Sequence, residues 1–139
     1  TGNNSSETEV KFAVATEDIK TKEAISNKKI SINFETNSSI LSDNNKAMID
    51  KEFVSIAKSF AMARIRIEGN TDAVGGNSKA NQILSEKRAQ AVANYLSKEH
   101  GFDKNRFIVI GNGSIKAIED GVMGANEAYR RTEFQLIEE

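Results

Sequence analysis

The sequence predicts an α+β domain in which helices pack on a small mixed sheet. Five short segments carry apolar residues in alternation or in a continuous run, as strands do. Two longer segments repeat apolar residues at steps of three and four, as amphipathic helices do. The order is β-β-α-β-α-β-β. Two β-α-β steps favour parallel pairing with right-handed crossovers, and the last strand could close the sheet edge in the antiparallel direction.

The composition limits the classes of protein to which the chain can belong. The chain has 139 residues, 38% hydrophobic and 28% charged, which suits one globular domain with a real core. A net charge of −1 without any long basic block argues against a nucleic-acid surface. There is no cysteine and no apolar run of membrane-spanning length. The chain starts at Thr1 without a signal peptide, so we expect a processed form or a segment of a longer protein.

The first half of the chain contains the first core strand and the first helix. Ile30, Ile32 and Phe34 alternate with polar residues and predict the strand. Ser42 or Asp43 is a suitable N-cap for a helix over residues 44–62. The apolar residues of this helix recur at spacings of four, three and four: Ile49, Phe53, Ile56 and Phe60.

The second half repeats this pattern and ends on a strand. We predict a strand at 64–68 and a helix over 78–99 that Gly101 ends. The apolar run at 107–110 indicates a central strand covered on both faces. Residues 115–128 suggest an irregular loop with a short helix near 122–128. The last predicted strand, at 132–137, places Phe134 and Leu136 at period two.

Two charged residues occupy positions that an ordinary fold does not require. Asp72 follows the strand at 64–68, and Arg88 lies on the helix stripe that carries Leu84, Val92 and Leu96. A guanidinium on the apolar side of a helix needs an anionic partner. If the Asp72 and Arg88 side chains converge, they could together bind a ligand that carries both an ammonium and a carboxylate. They could equally form a structural salt bridge that holds loop to helix.

The sequence offers little catalytic or metal-binding chemistry. The only histidine, His100, lies at a helix end, where a cation suits the helix dipole. No pair of carboxylates shares a face, and the acid- and amide-rich stretches lack the alternating oxygen ligands of a calcium loop. We therefore expect no catalytic residue, no metal and no cofactor.

The stretch after the second core strand carries a family resemblance. GNTDAVGGNSKANQILSEKRAQAVANYL resembles the G-H-T-D … N … L-S-x-x-R-A-x-x-V-x-x-x-L pattern of OmpA-like (OmpA/MotB) peptidoglycan-binding domains. FETNSSIL, GNGS and YRRTEF match further family blocks in the family's order, so the resemblance covers roughly residues 30–137. It implies an OmpA-like fold of the βαβαβ type, with about four core strands, two main helices on one face and an extra N-terminal strand. The chain then divides into 1–8, a flexible linker or cloning remnant; 9–29, an extension with a short strand at 10–14; and 30–139, the OmpA-like domain.

The resemblance also implies a function. Such domains bind the peptide stem of peptidoglycan without a covalent bond, mostly through meso-diaminopimelate. By matching position, Asp72 would contact the ligand ammonium and Arg88 its carboxylate. The full set of implied ligand-binding residues is Asp72, Arg88, Asn37, Thr71, Asn81, Leu84 and Arg130. The resemblance places the domain in the extracytoplasmic envelope, with any membrane tether outside this chain, and leaves the oligomeric state open. The alternative is a scaffold of the same fold that has lost the ligand.

Some of these positions have simpler explanations, and some depart from the family. Asn81 could make a local bond at the helix start, and Asn37 could form a turn. Strand alternation sends Arg130 and Arg131 to opposite faces, and we favour Arg130 for the pocket.

Four departures from the family pattern stand out: Asn70 for the usual His, an extra glycine in Gly75-Gly76, Tyr129 for Asn, and Ala117 for Pro.

Overall fold

A four-stranded mixed sheet forms the frame of residues 28–137, the part of the chain that the computed structural model describes. Its strands are β1 (Lys29–Asn33), β2 (Arg64–Gly69), β3 (Phe107–Gly111) and β4 (Arg131–Ile137). Helix α1 is a continuous helical run of Asp43–Ile49, a π-helical turn at Asp50–Val54, and Ser55–Ser59. The other helical elements are α2 (Lys79–His100), α3 (Ile115–Glu119) and 3₁₀ turns at Lys104–Arg106 and Glu127–Tyr129. The strand predicted at 10–14 lies outside the described residues.

The strand order is β1-β4-β2-β3, which confirms a mixed sheet and corrects two predictions. Strands β2 and β3 are parallel neighbours, as the β-α-β step predicts. Strand β4 does not close an edge, because it lies between β1 and β2 and is antiparallel to both. Strand β3 is an edge strand and not a central one, and its Val109 is exposed. The predicted helix near 122–128 is also wrong, since α3 forms earlier, directly after the turn at 111–114.

The core lies between the sheet and the helices α1 and α2. Apolar residues on one face of each of β1, β2 and β4 are buried, among them Ile32, Ile67 and Phe134. Phe134 meets Phe53 of α1 edge-to-face, with ring centroids 5.0 Å apart. The predicted start of α1 and the predicted end of α2 are confirmed, whereas α1 ends at Ser59 and not at the predicted residue 62. The Ser42 hydroxyl accepts from the Asn45 N–H, and Gly101 ends α2 in the left-handed region at a φ of 72°.

Two glycines let α2 approach the carboxyl ends of β2 and β3. A Cβ added at Gly69 would lie 1.8 Å from the Ser85 carbonyl oxygen, and one added at Gly111 would lie 2.4 Å from Glu86 Cγ. The Ser85 hydroxyl accepts a hydrogen bond from the Gly113 N–H at 2.8 Å. The second and third turns of α2 are therefore held close to the loops that follow these strands.

The opposite face of the sheet carries a charge network. Glu68 and Glu133 are cross-strand partners on β2 and β4, and Lys116 of α3 pairs with both. Arg131 also donates to Glu133. Burial alone would raise the pKa of Glu133, but the contacts with Arg131 and Lys116 bring it below its ordinary value. The network neutralises two carboxylates that would otherwise repel each other.

A second polar contact joins α1 to the end of α2. The Asp50 carboxylate accepts from the Tyr95 hydroxyl at 2.8 Å and lies 2.7 Å from His100 Nε2. Burial would raise the pKa of Asp50, but its bonds with Tyr95 and His100 lower it overall. Burial and the Asp50 contact raise the pKa of Tyr95 to about 12.

Replacement of Gly69 tests the close approach of α2. Gly69→Ala should lower the free energy of unfolding by about 3 kcal/mol, because the new methyl group meets backbone and not a flexible side chain. The control is Gly124→Ala, since a Cβ at Gly124 meets nothing within 4 Å. Urea unfolding followed by circular dichroism measures both, and equal stabilities would contradict the packing described.

The Asp50 contact predicts a pH-dependent stability. Because the folded-state pKa of Asp50 is lowered, its contribution is present above the unfolded-state pKa and is lost as the pH falls through the folded value. Asp50→Asn should therefore cost about 0.5–1 kcal/mol at neutral pH, and the difference in stability between wild type and variant should vanish at an acid pH below the folded-state pKa. Tyr95→Phe removes one of the hydrogen bonds to Asp50. Its loss of stability should depend on pH in the same way but be smaller than that of Asp50→Asn. Urea titrations at the two pH values measure this, and a constant gap would exclude it.

Candidate functional site

Arg88 is fully buried and is held by backbone carbonyl groups. Its side chain is 0% exposed. Nε donates to the Ser38 carbonyl at 2.8 Å, Nη1 to that of Asn70 at 2.9 Å and Nη2 to that of Glu35 at 3.1 Å. The guanidinium also lies over the Phe34 ring, 5.3 Å from its centroid. Arg88 thus ties the loops that follow β1 and β2 to helix α2.

The partners of Arg88 differ from the sequence prediction. The sequence predicts an anionic partner, but three carbonyl oxygens accept the N–H groups of Arg88 instead, and their partial negative charges stabilise the guanidinium. Burial lowers the pKa of Arg88 to about 10, Asp72 partly offsets this by attraction, and Arg130 adds repulsion. The guanidinium stays charged at neutral pH. Of its five N–H donors, three serve these carbonyls, which leaves one on each Nη atom.

Asp72 is paired with Arg130 and not with Arg88, so the structural salt bridge considered for Asp72 and Arg88 is wrong. Arg130 Nη1 lies 3.2 Å from Asp72 Oδ2, and both side chains are largely buried. The same oxygen accepts the Asn126 N–H at 3.2 Å, and Oδ1 accepts the Val74 N–H at 3.3 Å. The loop after β2 and the segment between α3 and β4 therefore supply the three donors to one carboxylate.

The three charged side chains nevertheless converge. Arg130 Nε donates to the Phe34 carbonyl at 3.2 Å, next to the turn whose Glu35 carbonyl accepts from Arg88. Asp72 and Arg130 both influence the pKa of Arg88. The cluster holds two cations and one anion at the carboxyl ends of β1 and β2. Its net charge is therefore positive and would favour one further carboxylate.

The remaining predicted residues lie around this cluster. Thr71 is buried, and its hydroxyl donates to the Asp72 carbonyl at 2.9 Å. Asn37 is exposed in a turn, with a φ of 59° in the left-handed region. Asn81 donates to the Val74 and Gly76 carbonyls at 2.9 and 2.8 Å, so its side chain fixes the loop after β2. Leu84 is half-buried on the α2 face that carries Arg88.

The departures from the family pattern leave the charged cluster in place. The Tyr129 hydroxyl donates to Asp120 at 2.6 Å and its ring lies under Arg131, so the ring does not take the position of Arg130. Asn70 is buried, and its carbonyl accepts from Arg88. The doubled glycines Gly75 and Gly76 both have positive φ, as a tight turn requires.

Sequence reasoning missed the backbone groups of the site. The Asn126 N–H and the Ser38 carbonyl belong to loops whose side chains carry no signal for these roles. Only the glycine at position 69 could have suggested how near α2 lies to the strand ends. A groove of about 220 Å³ between α2 and β3, lined by residues such as Gln90 and Val109, contains none of the predicted site residues.

Arg88 is predicted to stabilise the domain. Arg88→Lys should lower the free energy of unfolding by about 2–4 kcal/mol, because one ammonium cannot serve three divergent carbonyls. The matched change Arg130→Lys should cost about 1 kcal/mol or less, since an ammonium can still pair with Asp72. Urea unfolding of both variants measures the difference. Equal losses of stability in the two variants would show that the carbonyl contacts of Arg88 do not stabilise the domain more than the Arg130 ion pair does.

Comparisons with known proteins identify the family of the chain. The model of the OmpA family matches residues 33–131. Outer membrane porin F of Pseudomonas aeruginosa is 30% identical over 102 residues, which cover 73% of this chain and 29% of porin F. The chain thus spans less than a third of that relative's length.

Solved structures of similar proteins have the same fold. An outer membrane protein from Borrelia burgdorferi B31 is 31% identical, with a TM-score of 0.63 over 78% of this chain and 86% of its own. The peptidoglycan-associated lipoprotein from Burkholderia pseudomallei is 29% identical, with a TM-score of 0.65 over 77% and 89%. Within residues 28–137 no helix is long and apolar enough to cross a membrane. The family match extends over most of the chain, and the protein belongs to the OmpA family.

Proposed function

We propose that this domain binds peptidoglycan without a covalent bond, through the meso-diaminopimelate of the peptide stem, and so anchors an envelope protein to the wall. The observation that carries the proposal is the convergence of Asp72, Arg88 and Arg130 at one end of the sheet. Membership of the OmpA family supports it, as does similarity to a lipoprotein named for its association with peptidoglycan. The domain acts as a binding module and not as an enzyme.

The chemistry of the ligand suits the cluster. Diaminopimelate carries an ammonium and a carboxylate on one carbon at the end of a short aliphatic arm. Asp72 accepts from the ammonium, and the N–H groups left on the Nη atoms of Arg88 donate to the carboxylate. Each charge-assisted bond contributes roughly 1.5–3 kcal/mol net, so affinity is modest after the cost of association. Modest affinity suffices for an anchor, because the wall presents the ligand many times.

Binding on this geometry requires an exchange of partners. Arg130 occupies one oxygen of Asp72, so the incoming ammonium competes with it or shares that carboxylate. Once displaced, Arg130 can donate to the ligand carboxylate beside Arg88. Thr71 and Leu84 then form the wall of the pocket, and Asn37 in its turn and Asn81 in the first turn of α2 lie at its mouth.

A second candidate function is a structural domain that has lost its ligand. Arg88 is wholly buried and serves protein carbonyls, and Asp72 already has a cationic partner. Both charged groups would therefore be satisfied without any ligand. On either reading the domain works outside the cytoplasmic membrane.

Co-sedimentation with purified sacculi tests the proposal. Wild-type protein should sediment with diaminopimelate-type sacculi, and Asp72→Asn should reduce the bound fraction at least about tenfold, because an amide cannot offset the ammonium charge. Asn keeps the shape, but its one carbonyl oxygen can accept from only one of the Val74 and Asn126 N–H groups, so the variant should lose some stability while the fold persists. Circular dichroism and urea unfolding verify that it does.

Two controls sharpen this experiment. Arg130→Gln should weaken sedimentation, whereas Arg131→Gln should not, because Arg131 faces Glu133 on the other side of the sheet. Lysine-type sacculi, whose side-chain ammonium lacks the neighbouring carboxylate, should bind less. Folded wild-type protein that stays in the supernatant with diaminopimelate-type sacculi would establish the structural reading instead.

A further inference from the structure

Strand β3 ends the sheet on one side within residues 28–137, and it lacks the protection that β1 has at the other edge. Phe107–Gly111 contains neither a charged residue nor a proline, and Val109 is 37% exposed. By contrast, β1 begins with Lys29, and its Asn33 carbonyl accepts from the Asn45 side chain. Charges, prolines and covering groups are the usual means by which edge strands avoid pairing with another chain. β3 is therefore the edge at which a further strand could pair.

The hydrogen bonds between β2 and β3 determine which backbone groups of β3 point outwards. Gly69 and Gly111 are cross-strand partners, and the Gly69 carbonyl accepts from the Asn112 N–H at 2.9 Å. In this register the N–H and C=O groups of Ile108 and Ile110 bond to β2. The N–H and C=O groups of the alternate residues point to the outer edge of the sheet: Phe107, Val109 and Gly111.

Only the first and the last of these outward groups have a partner within residues 28–137. The Phe107 N–H donates to the Lys104 carbonyl, and the Gly111 carbonyl accepts from Gln82 Nε2 at 2.7 Å. Between them lie the Phe107 carbonyl, both groups of Val109 and the Gly111 N–H, which no hydrogen bond of the described residues engages. The middle of the edge is thus open for pairing, and its two ends are closed.

A groove between α2 and β3 lies beside this open stretch. Its volume is about 220 Å³, and Val109 lines it from the sheet and Ala93 from the helix, together with polar residues of α2 such as Asn94. Directly opposite residues of an antiparallel pair have their side chains on the same face of the sheet. A residue paired with Val109 would therefore place its side chain next to the groove.

We propose that β3 pairs with β3 of a second copy of the chain, antiparallel and symmetric about Val109. Each Val109 then donates to and accepts from its counterpart, and each Gly111 N–H donates to the Phe107 carbonyl of the other copy. These bonds use every open outward group of both strands. The two groups that already have partners, at the two ends of the strand, face each other in this register and need no new bond.

This match of open and closed groups is the reason to name a second copy as the occupant. A different chain would need the same spacing of donors and acceptors, whereas a second copy has it by symmetry. The two Val109 side chains meet on the α2 face, and the two four-stranded sheets become one continuous sheet. The inference does not depend on the proposed function, because Asp72, Arg88 and Arg130 take no part in the pairing.

Sedimentation velocity tests the pairing. The dimer fraction of wild type should rise between about 50 µM and about 1 mM, because few hydrogen bonds and a small interface give weak association. Val109→Lys places like charges opposite each other and should raise the dissociation constant of the dimer at least about tenfold. The matched control is Ser31→Lys, which adds the same charge in the middle of the other edge strand and should leave that constant unchanged.

Hydrogen exchange of wild type at the same two concentrations locates the interface without a variant. The Val109 and Gly111 amides should exchange more slowly at the higher concentration, whereas the Ile108 and Ile110 amides, which bond to β2, should be protected at both. A monomer at every concentration would overturn the proposal. So would a dimer in which the Val109 and Gly111 amides stay unprotected, or protection that does not depend on concentration. If Val109→Lys loses its native circular dichroism, the exchange measurement on wild type decides.

Discussion

The burial of one guanidinium is the constraint on which the site depends. Arg88 can be buried only because three backbone carbonyls accept its N–H groups, and those carbonyls come from the loops after β1 and β2. The loops reach it because α2 lies against the strand ends, where Gly69 has no side chain to hold the helix away. Gly69 on β2 thus determines how close α2 lies to the strand ends, and thereby where the Arg88 guanidinium is placed.

This arrangement gives Arg88 a structural role and, under the proposed function, a recognition role as well. Its three carbonyl contacts pre-organise the remaining N–H groups, so a ligand carboxylate need not order the side chain. Asp72 differs, because Arg130 and two loop N–H groups hold its carboxylate in place, and under the proposed function a ligand ammonium competes with Arg130 for it. Exchange of an internal cation for an external one gains little net electrostatic energy. That agrees with the low affinity that suffices when binding is multivalent.

Much of the fold could be predicted because its signals are local. Alternation gave β1, β2 and β4, Ser42 marked the start of α1 and Gly101 marked the end of α2. Strand order is not a local property, and β3 shows why. An apolar run fits an edge strand partly covered by one helix as well as a central strand. The segment after residue 114 misled for the opposite reason, since α3 is too short to display a helical period.

The site was predictable in its charged residues and not in their pairing. Strand alternation separated Arg130 from Arg131, and the structure sends them to Asp72 and Glu133 respectively. Pairing depends on register, because a shift of one residue in β4 would reverse the two arginines. The buried face of β4, which carries Phe134 and Leu136, fixes that register, and on the other face the contacts with Arg131 and Lys116 lower the pKa of Glu133. The packing of the sheet thereby determines which arginine reaches the cluster at the end of β2, so the candidate site depends on the core beneath it.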